Sequence, residues 1–193
     1  IGIGDQTDIC RVLDEITAGD RVTRFAPKCN MPLTGKRLLA TLPFFAYLKI
    51  AEGCSNGCTY CAIPQIRGKY RSVPMEEVLA EAETLAANGV RELVVIAQDT
   101  TRYGEDLTGG KSLLPELLTR LCRIDGFRWI RVLYCYPERI TDELIETIAR
   151  EDKILNYIDM PIQHSDDKIL KRMNRPTTNE SLRKLIQKLR DRI

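Results

Sequence analysis

Phe45-Ala46-Tyr47-Leu48-Lys49-Ile50-Ala51-Glu52-Gly53-Cys54-Ser55-Asn56-Gly57-Cys58-Thr59-Tyr60-Cys61 runs from a strand-like apolar segment directly into a loop that holds three of the chain's seven cysteines. Their spacing, CxxxCxxC, nominates a metal site. Three thiolates on one short loop can each hold one iron of a cubic 4Fe-4S cluster, leaving the fourth iron open to a small molecule. Zinc is the alternative, with His164 completing a tetrahedron, although structural zinc sites usually pair knuckles from two separate elements. In that reading the chain is a non-catalytic zinc-binding scaffold.

Outward from this stretch, apolar β-rich runs alternate with helical periodicity. Strands are expected near Tyr47 to Ile50, Leu93 to Ala97, Ile130 to Tyr134 and Tyr157 to Met160. The first helix carries Met75, Val78, Leu79, Ala82, Leu85 and Ala86 on one face, with Ser72 and Pro74 as start signals and Gly89 as the stop. The second carries Leu114, Leu117, Leu118 and Leu121; the third opens at Thr141-Asp142-Glu143 and buries Leu144, Ile145 and Ile148. A short helix follows Ser165-Asp166-Asp167. A last one starts at Thr177, with Glu180 completing a capping box, and runs through Leu182, Leu185, Ile186 and Leu189. Repeated βα alternation demands parallel strands, hence an α/β class. Too few strands are available to close a barrel of eight, so the expected architecture is an open, partial (β/α) barrel, truncated at the C-terminus. Ligands bind at the carboxyl ends of such strands. The cysteine loop, Gln98-Asp99-Thr100-Thr101, Tyr136-Pro137-Glu138 and Gln163-His164 should therefore share one rim.

The 193 residues, 44% of them hydrophobic, allow one sizeable core. With 29 basic and 27 acidic residues, the net charge of +2 gives no electrostatic warrant for a nucleic-acid footprint. The N-terminal residues lack the pattern of a signal peptide, no apolar run is long enough to span a membrane, and the odd cysteine count fits a reducing compartment. A cytoplasmic protein is expected. Cys10, Cys29, Cys122 and Cys135 read as ordinary core or loop thiols. Before Leu42 only a short helix, marked by Ile9, Val12, Leu13 and Ile16, and a linker are expected.

The loop AEGCSNGCTYCAIPQIRG resembles the cluster loop of radical S-adenosylmethionine (SAM) enzymes, with Tyr60 as the aromatic before the last cysteine. IAQDTTRYGEDL, RVLYCYPERIT and MPIQHSDDKILKRMNRP resemble one group of them, the methylthiotransferases, over roughly residues 45 to 176. The tRNA-modifying branch usually has GQNV in place of Ala97-Gln98-Asp99-Thr100 and a QSG-like run in place of Gln163-His164-Ser165. This contrast favours the branch that acts on a ribosomal protein, with a tRNA adenosine methylthiotransferase as the alternative.

The resemblance implies a radical-SAM core, incomplete, at residues 43–193, and a linker at 1–42 from a missing N-terminal domain that carries a second 4Fe-4S cluster. Cys54, Cys58 and Cys61 would hold the first cluster, whose open iron chelates S-adenosylmethionine; one electron then cleaves a carbon–sulfur bond. The implied product is a methylthio group on the β-carbon of an aspartate in the twelfth protein of the small ribosomal subunit. A flavodoxin or ferredoxin would donate electrons. A downstream β-barrel module that engages substrate is also expected to be missing, so this fragment alone should cleave the cofactor poorly and transfer no sulfur. Tyr60, Gln98 and Gln163 are the candidate cofactor contacts, each against a local packing or turn-capping role. His164, the chain's single histidine, reads as a turn or substrate contact rather than a general base. Asp99 and Thr101 are candidates for ordering the loop through side-chain to backbone bonds. Arg67, Lys69, Arg71 and Arg102 read as a solvated face or as partners of an acidic group. The run Lys171-Arg172-Met173-Asn174-Arg175 reads as neutralising a helix C-terminus, with ribosomal RNA as the alternative partner.

Overall fold

The computed structural model describes residues 1–35, 37–40 and 42–193. Its centre is a four-stranded parallel sheet of order β1-β4-β5-β6, formed by β1 (Phe45–Lys49), β4 (Glu92–Ile96), β5 (Trp129–Val132) and β6 (Ile154–Ile158). The expected α/β class and open sheet are both present. Each connection advances one strand in the same direction. Right-handed crossovers then place every connecting helix on the same face, as in a segment of barrel rather than a doubly wound sheet.

The burial pattern follows this geometry. Ala46, Leu93 and Ile130 lie side by side across three strands, as do Leu48, Val95 and Val132 one pleat further on, and all six are buried. Against this face pack α3 (Met75–Ala87), α5 (Leu114–Cys122) and α6 (Asp142–Arg150), which touch the sheet and one another. Leu114, Leu117, Leu118 and Leu121, one stripe of α5, are fully buried. The other face presents Tyr47, Arg131 and Tyr157, with the Arg131 guanidinium paired to Glu92 at 2.8 Å and lying over the Tyr157 ring. Helix α6 starts as its sequence requires, with the Thr141 side chain accepting from the Leu144 amide.

Some boundaries differ from those expected. Strand β6 begins at Ile154, before the expected Tyr157, because the Ile130 amide already donates to Lys153 O. It is an edge strand, and its exposed Asn156 breaks the apolar run that would have marked its start. The last helix, α8 (Asn179–Arg192), is capped by Thr178 rather than Thr177, and Ser181 rather than Glu180 closes the capping box. Only Leu182 of its apolar stripe is buried. Ser72 does not start α3; it lies on a short strand, where it donates to Asp106 at 2.6 Å. Upstream, α1 (Ile9–Thr17) forms where expected but buries only Val12, leaving Ile9, Leu13 and Ile16 exposed. Two short 3₁₀ turns, Ile3–Asp8 and Lys28–Asn30, flank it without having been anticipated.

Since one face carries the burial, substitutions along β1 should alternate in effect. Leu48→Ala is expected to destabilise the fold by about 2–5 kcal/mol in urea unfolding, as for other fully buried leucines. Tyr47→Ala, one residue earlier on the open face, should cost far less.

Candidate metal centre

The cysteine loop is closed at its base by a clasp too short to read from sequence. Strand β2 (Ala51–Glu52) pairs antiparallel with β3 (Arg71–Ser72). The Cys54 amide donates to Gly68 O at 3.1 Å and the Tyr70 amide to Ser55 Oγ at 3.1 Å, so the clasp continues into the loop. Gly53 turns the chain at a φ of +78°, and a Cβ there would sit 2.3 Å from Lys69 O. Only glycine fits. Inside the loop, α2 (Ile63–Arg67) follows Cys61 at once. At the base, Glu52 is almost wholly buried and is compensated by Lys49 at 2.9 Å and Arg67 at 3.5 Å.

Cys54 and Cys58 are buried and Cys61 half-buried. Burial pushes the Cys54 thiol pKa up, and the charges of Asp99, Cys58 and Cys61 push it further; the Asn56 amide, 3.4 Å from the sulfur, opposes them. The three sulfurs therefore stand within one another's field. Among the described residues, no three His, Cys, Asp or Glu side chains are placed to share a single ion. His164 is exposed, and its Nδ1 accepts from the Asp166 amide at 2.9 Å, so it serves a turn and completes no zinc tetrahedron.

Two polar assemblies hold the loop. The first is a closed ring. Asn56 Nδ2 donates to Asp99 Oδ2 at 2.8 Å, Asp99 faces Arg139 Nε at 3.6 Å, and Arg139 donates to Glu105 at 2.6 Å. Glu105 accepts from Arg102 at 3.0 Å, and Arg102 returns to Asn56 Oδ1 at 3.3 Å. Asp99 is fully buried and also accepts from Thr101 Oγ1 at 2.5 Å, while Tyr70 donates to its carbonyl at 2.9 Å. The second is a latch from the end of α7 (Asp167–Arg172). Thr59 donates from its amide to Met173 O and from its hydroxyl to Arg172 O, and Asn174 Nδ2 donates to Gly57 O at 2.7 Å. Arg175 Nη1 lies 3.8 Å from Cys58 Sγ, and the guanidinium stacks 4.1 Å from the Tyr136 ring centre. The Tyr136 hydroxyl is itself 3.6 Å from the same sulfur.

The run ending at Arg175 thus grips the cysteine loop instead of merely balancing a helix dipole. Nothing in its local sequence could reveal that, because its partners lie more than a hundred residues upstream. Three of the four rim segments meet. The fourth does not: Gln163 sits exposed at a φ of +67°, and among the described residues His164 bonds only to Ile162 and Asp166. Tyr60 is half exposed; its partial burial raises the phenol pKa, and the neighbouring Cys58 raises it further. Gln98 is half-buried, and its Oε1 has no hydrogen-bond partner among the described residues. Arg71 donates to Cys29 O and Met31 O, tying the upstream segment to the clasp, and Lys69 is exposed. A cavity of about 620 Å³ opens beside Cys58, lined among others by Asn56, Arg102, Tyr136, Arg139 and Arg175.

The donor set suits a cluster held by three cysteines: each sulfur needs to reach only its own iron. An N–H group faces the Cys54 sulfur, and a guanidinium N–H and a tyrosine hydroxyl face that of Cys58, contacts of the kind that support ligated sulfur.

The family model described as "Radical SAM superfamily" matches residues 48–193. The chain is 51% identical over 191 residues to "Ribosomal protein uS12 methylthiotransferase RimO" of Caldanaerobacter subterraneus subsp. tengcongensis, covering 98% of this chain and 44% of that protein. It is also 51% identical over 194 residues to the protein of the same name in Lachnoclostridium phytofermentans, covering 100% of this chain and 44% of the relative. This chain therefore spans less than half the length of these relatives. Among solved structures, the radical S-adenosylmethionine methyltransferase TsrM from Kitasatospora setae, with cobalamin and a 4Fe-4S cluster bound, superposes with a TM-score of 0.60 at 18% identity, covering 77% of this chain and 29% of that one. The cobalamin-dependent S-adenosylmethionine radical enzyme OxsB superposes with a TM-score of 0.55 at 14% identity, covering 74% and 22%. These likenesses establish the fold.

Two outcomes follow from the geometry. Asn56→Asp sets a second carboxylate against buried Asp99 and breaks the ring, so iron retention in a chelator challenge should fall by roughly 10–100-fold, the range for lost supporting contacts around a metal. Cys135, whose burial pushes its thiol up to about 12, should resist iodoacetamide at pH 8, whereas the exposed Cys10 and Cys29 label readily. Peptide mass spectrometry reads both.

Proposed function

Because this chain belongs to the radical SAM superfamily, we propose that it forms the cluster-binding core of a methylthiotransferase that acts on the β-carbon of an aspartate in ribosomal protein uS12. The observation that carries this reading is the 51% identity, over nearly the whole chain, to relatives curated as uS12 methylthiotransferases. The motif contrast with tRNA-modifying enzymes points the same way.

In this reading Cys54, Cys58 and Cys61 hold a 4Fe-4S cluster, which when bound supplies one electron to split a carbon–sulfur bond of S-adenosylmethionine chelated at its open iron. The chain's own residues do the rest. The clasp and the ring keep the loop in shape, and buried Cys54 and Cys58 keep water from their sulfurs. The cavity beside Cys58 lies within the usual size range of small-molecule sites, roughly 300–1,000 Å³, and would take the cofactor. Gln98 does not line that cavity; its buried Oε1, which has no hydrogen-bond partner among the described residues, makes it a separate candidate contact, because such an oxygen is costly unless a ligand N–H or O–H meets it. Tyr60 would contact the adenine side, whereas Gln163, exposed on a segment that stays apart from the rim, is left out of the proposed contacts. We assign residues 43–193 to this core and 1–42 to a linker. A second cluster and a flavodoxin- or ferredoxin-type electron donor complete the proposed system.

Anaerobic reconstitution of the chain with iron and sulfide should give brown protein that, with a strong reductant, converts S-adenosylmethionine to 5′-deoxyadenosine. Cys58→Ala should reduce that conversion to background. With protein of the relatives' full length, methylthiolated aspartate should appear in uS12 and no modified adenosine in tRNA. Activity retained by Cys58→Ala would overturn the site, and modified tRNA would overturn the substrate.

A further inference from the structure

We propose that Arg175 is a positioning residue for Cys58 whose positive charge makes the bound cluster easier to reduce, an inference that rests on the cluster reading above. The Arg175 side chain is 1% exposed, which is unusual for arginine. A buried cation must be compensated on every side. One side is Glu138, 3.3 Å from Nη2, and one face is the Tyr136 ring at 4.1 Å. Nε is buried and has no hydrogen-bond partner among the described residues. The remaining contact is Nη1 to Cys58 Sγ at 3.8 Å. A neutral thiol is a weak acceptor, whereas a ligand sulfur carrying negative charge is a strong one. The arrangement is therefore incompletely compensated around a thiol and well compensated around a cluster ligand.

The donors are unevenly shared. Cys58 receives the Arg175 guanidinium and stands 3.6 Å from the Tyr136 hydroxyl, whereas Cys54 receives a backbone amide at 3.4 Å. Reduction adds negative charge to the cluster and its sulfurs, and a fixed cation with a hydroxyl donor beside one sulfur stabilises the reduced form. Hydrogen bonds to sulfur and local charge are the means by which a protein sets the potential of such a centre. The same contact anchors Cys58, because Asn174 next in chain fixes Gly57 at 2.7 Å. A solely mechanical role would need only the stack and the Glu138 pair.

The test is an anaerobic redox titration of the reconstituted 193-residue chain, followed by the cluster's electron paramagnetic resonance signal, with thermal unfolding measured in parallel. Arg175→Gln removes the charge and should shift the midpoint to a more negative potential. Tyr136→Phe keeps the stack and should shift it the same way by less. Arg175→Lys keeps a charge but cannot both pair with Glu138 and reach the sulfur, so an intermediate shift is expected. A wild-type midpoint in Arg175→Gln overturns the proposal even if its melting temperature falls. Should Arg175→Gln take up no iron, Arg175→Lys and Tyr136→Phe decide in its place, and wild-type midpoints in both overturn it. A wild-type chain that loads no cluster is a separate result, seen before any variant is made, and it removes both this proposal and the reading beneath it.

Discussion

Thiols gathered to ionise side by side repel one another, and burial makes their charged form costlier still. The Cys54 thiol shows both effects. A chain that keeps three cysteines together on one loop must therefore hold that loop by forces other than the thiols' own. Here the β2–β3 clasp, the ring through Asn56 and Asp99, and the latch from the end of α7 supply them. The scaffold holds the loop that carries the sulfurs, and a cluster bound there would add metal–ligand bonds.

The parallel sheet explains why these supports can meet. The clasp and the cysteine loop follow β1, Asp99 follows β4, and Tyr136 and Arg139 follow β5, so one rim brings together residues far apart in the chain. Helices on a single face leave the opposite face open, where Arg131 bridges Glu92 and the Tyr157 ring. Rigid strands beneath and polar loops above divide the labour between stability and chemistry.

Periodic features were legible in the sequence and long-range ones were not. The leucine stripe of α5 recurs every three to four residues and is buried as read, and β1 forms where the apolar run before the cysteines placed a strand. The spacing CxxxCxxC is equally local. By contrast, β2 and β3 contribute two residues each and are held by pairing alone, with too little pattern to detect. Arg175 looked like one cation in a basic run; its meaning comes from Cys58, 117 residues away. Thr177 and Thr178 are adjacent candidates for one cap, and local propensity does not separate them. Gln163 and His164 follow β6, yet the segment turns outward at Gln163, whose left-handed backbone no motif announced.

The central proposal is that the cysteine loop seats a cluster with one iron left free for a sulfonium ligand. The most direct measurement is the electron paramagnetic resonance spectrum of the reduced, reconstituted chain before and after addition of S-adenosylmethionine. A cluster held by Cys54, Cys58 and Cys61 alone should change its g values when the ligand occupies the free iron. An unchanged spectrum at saturating ligand would contradict the account.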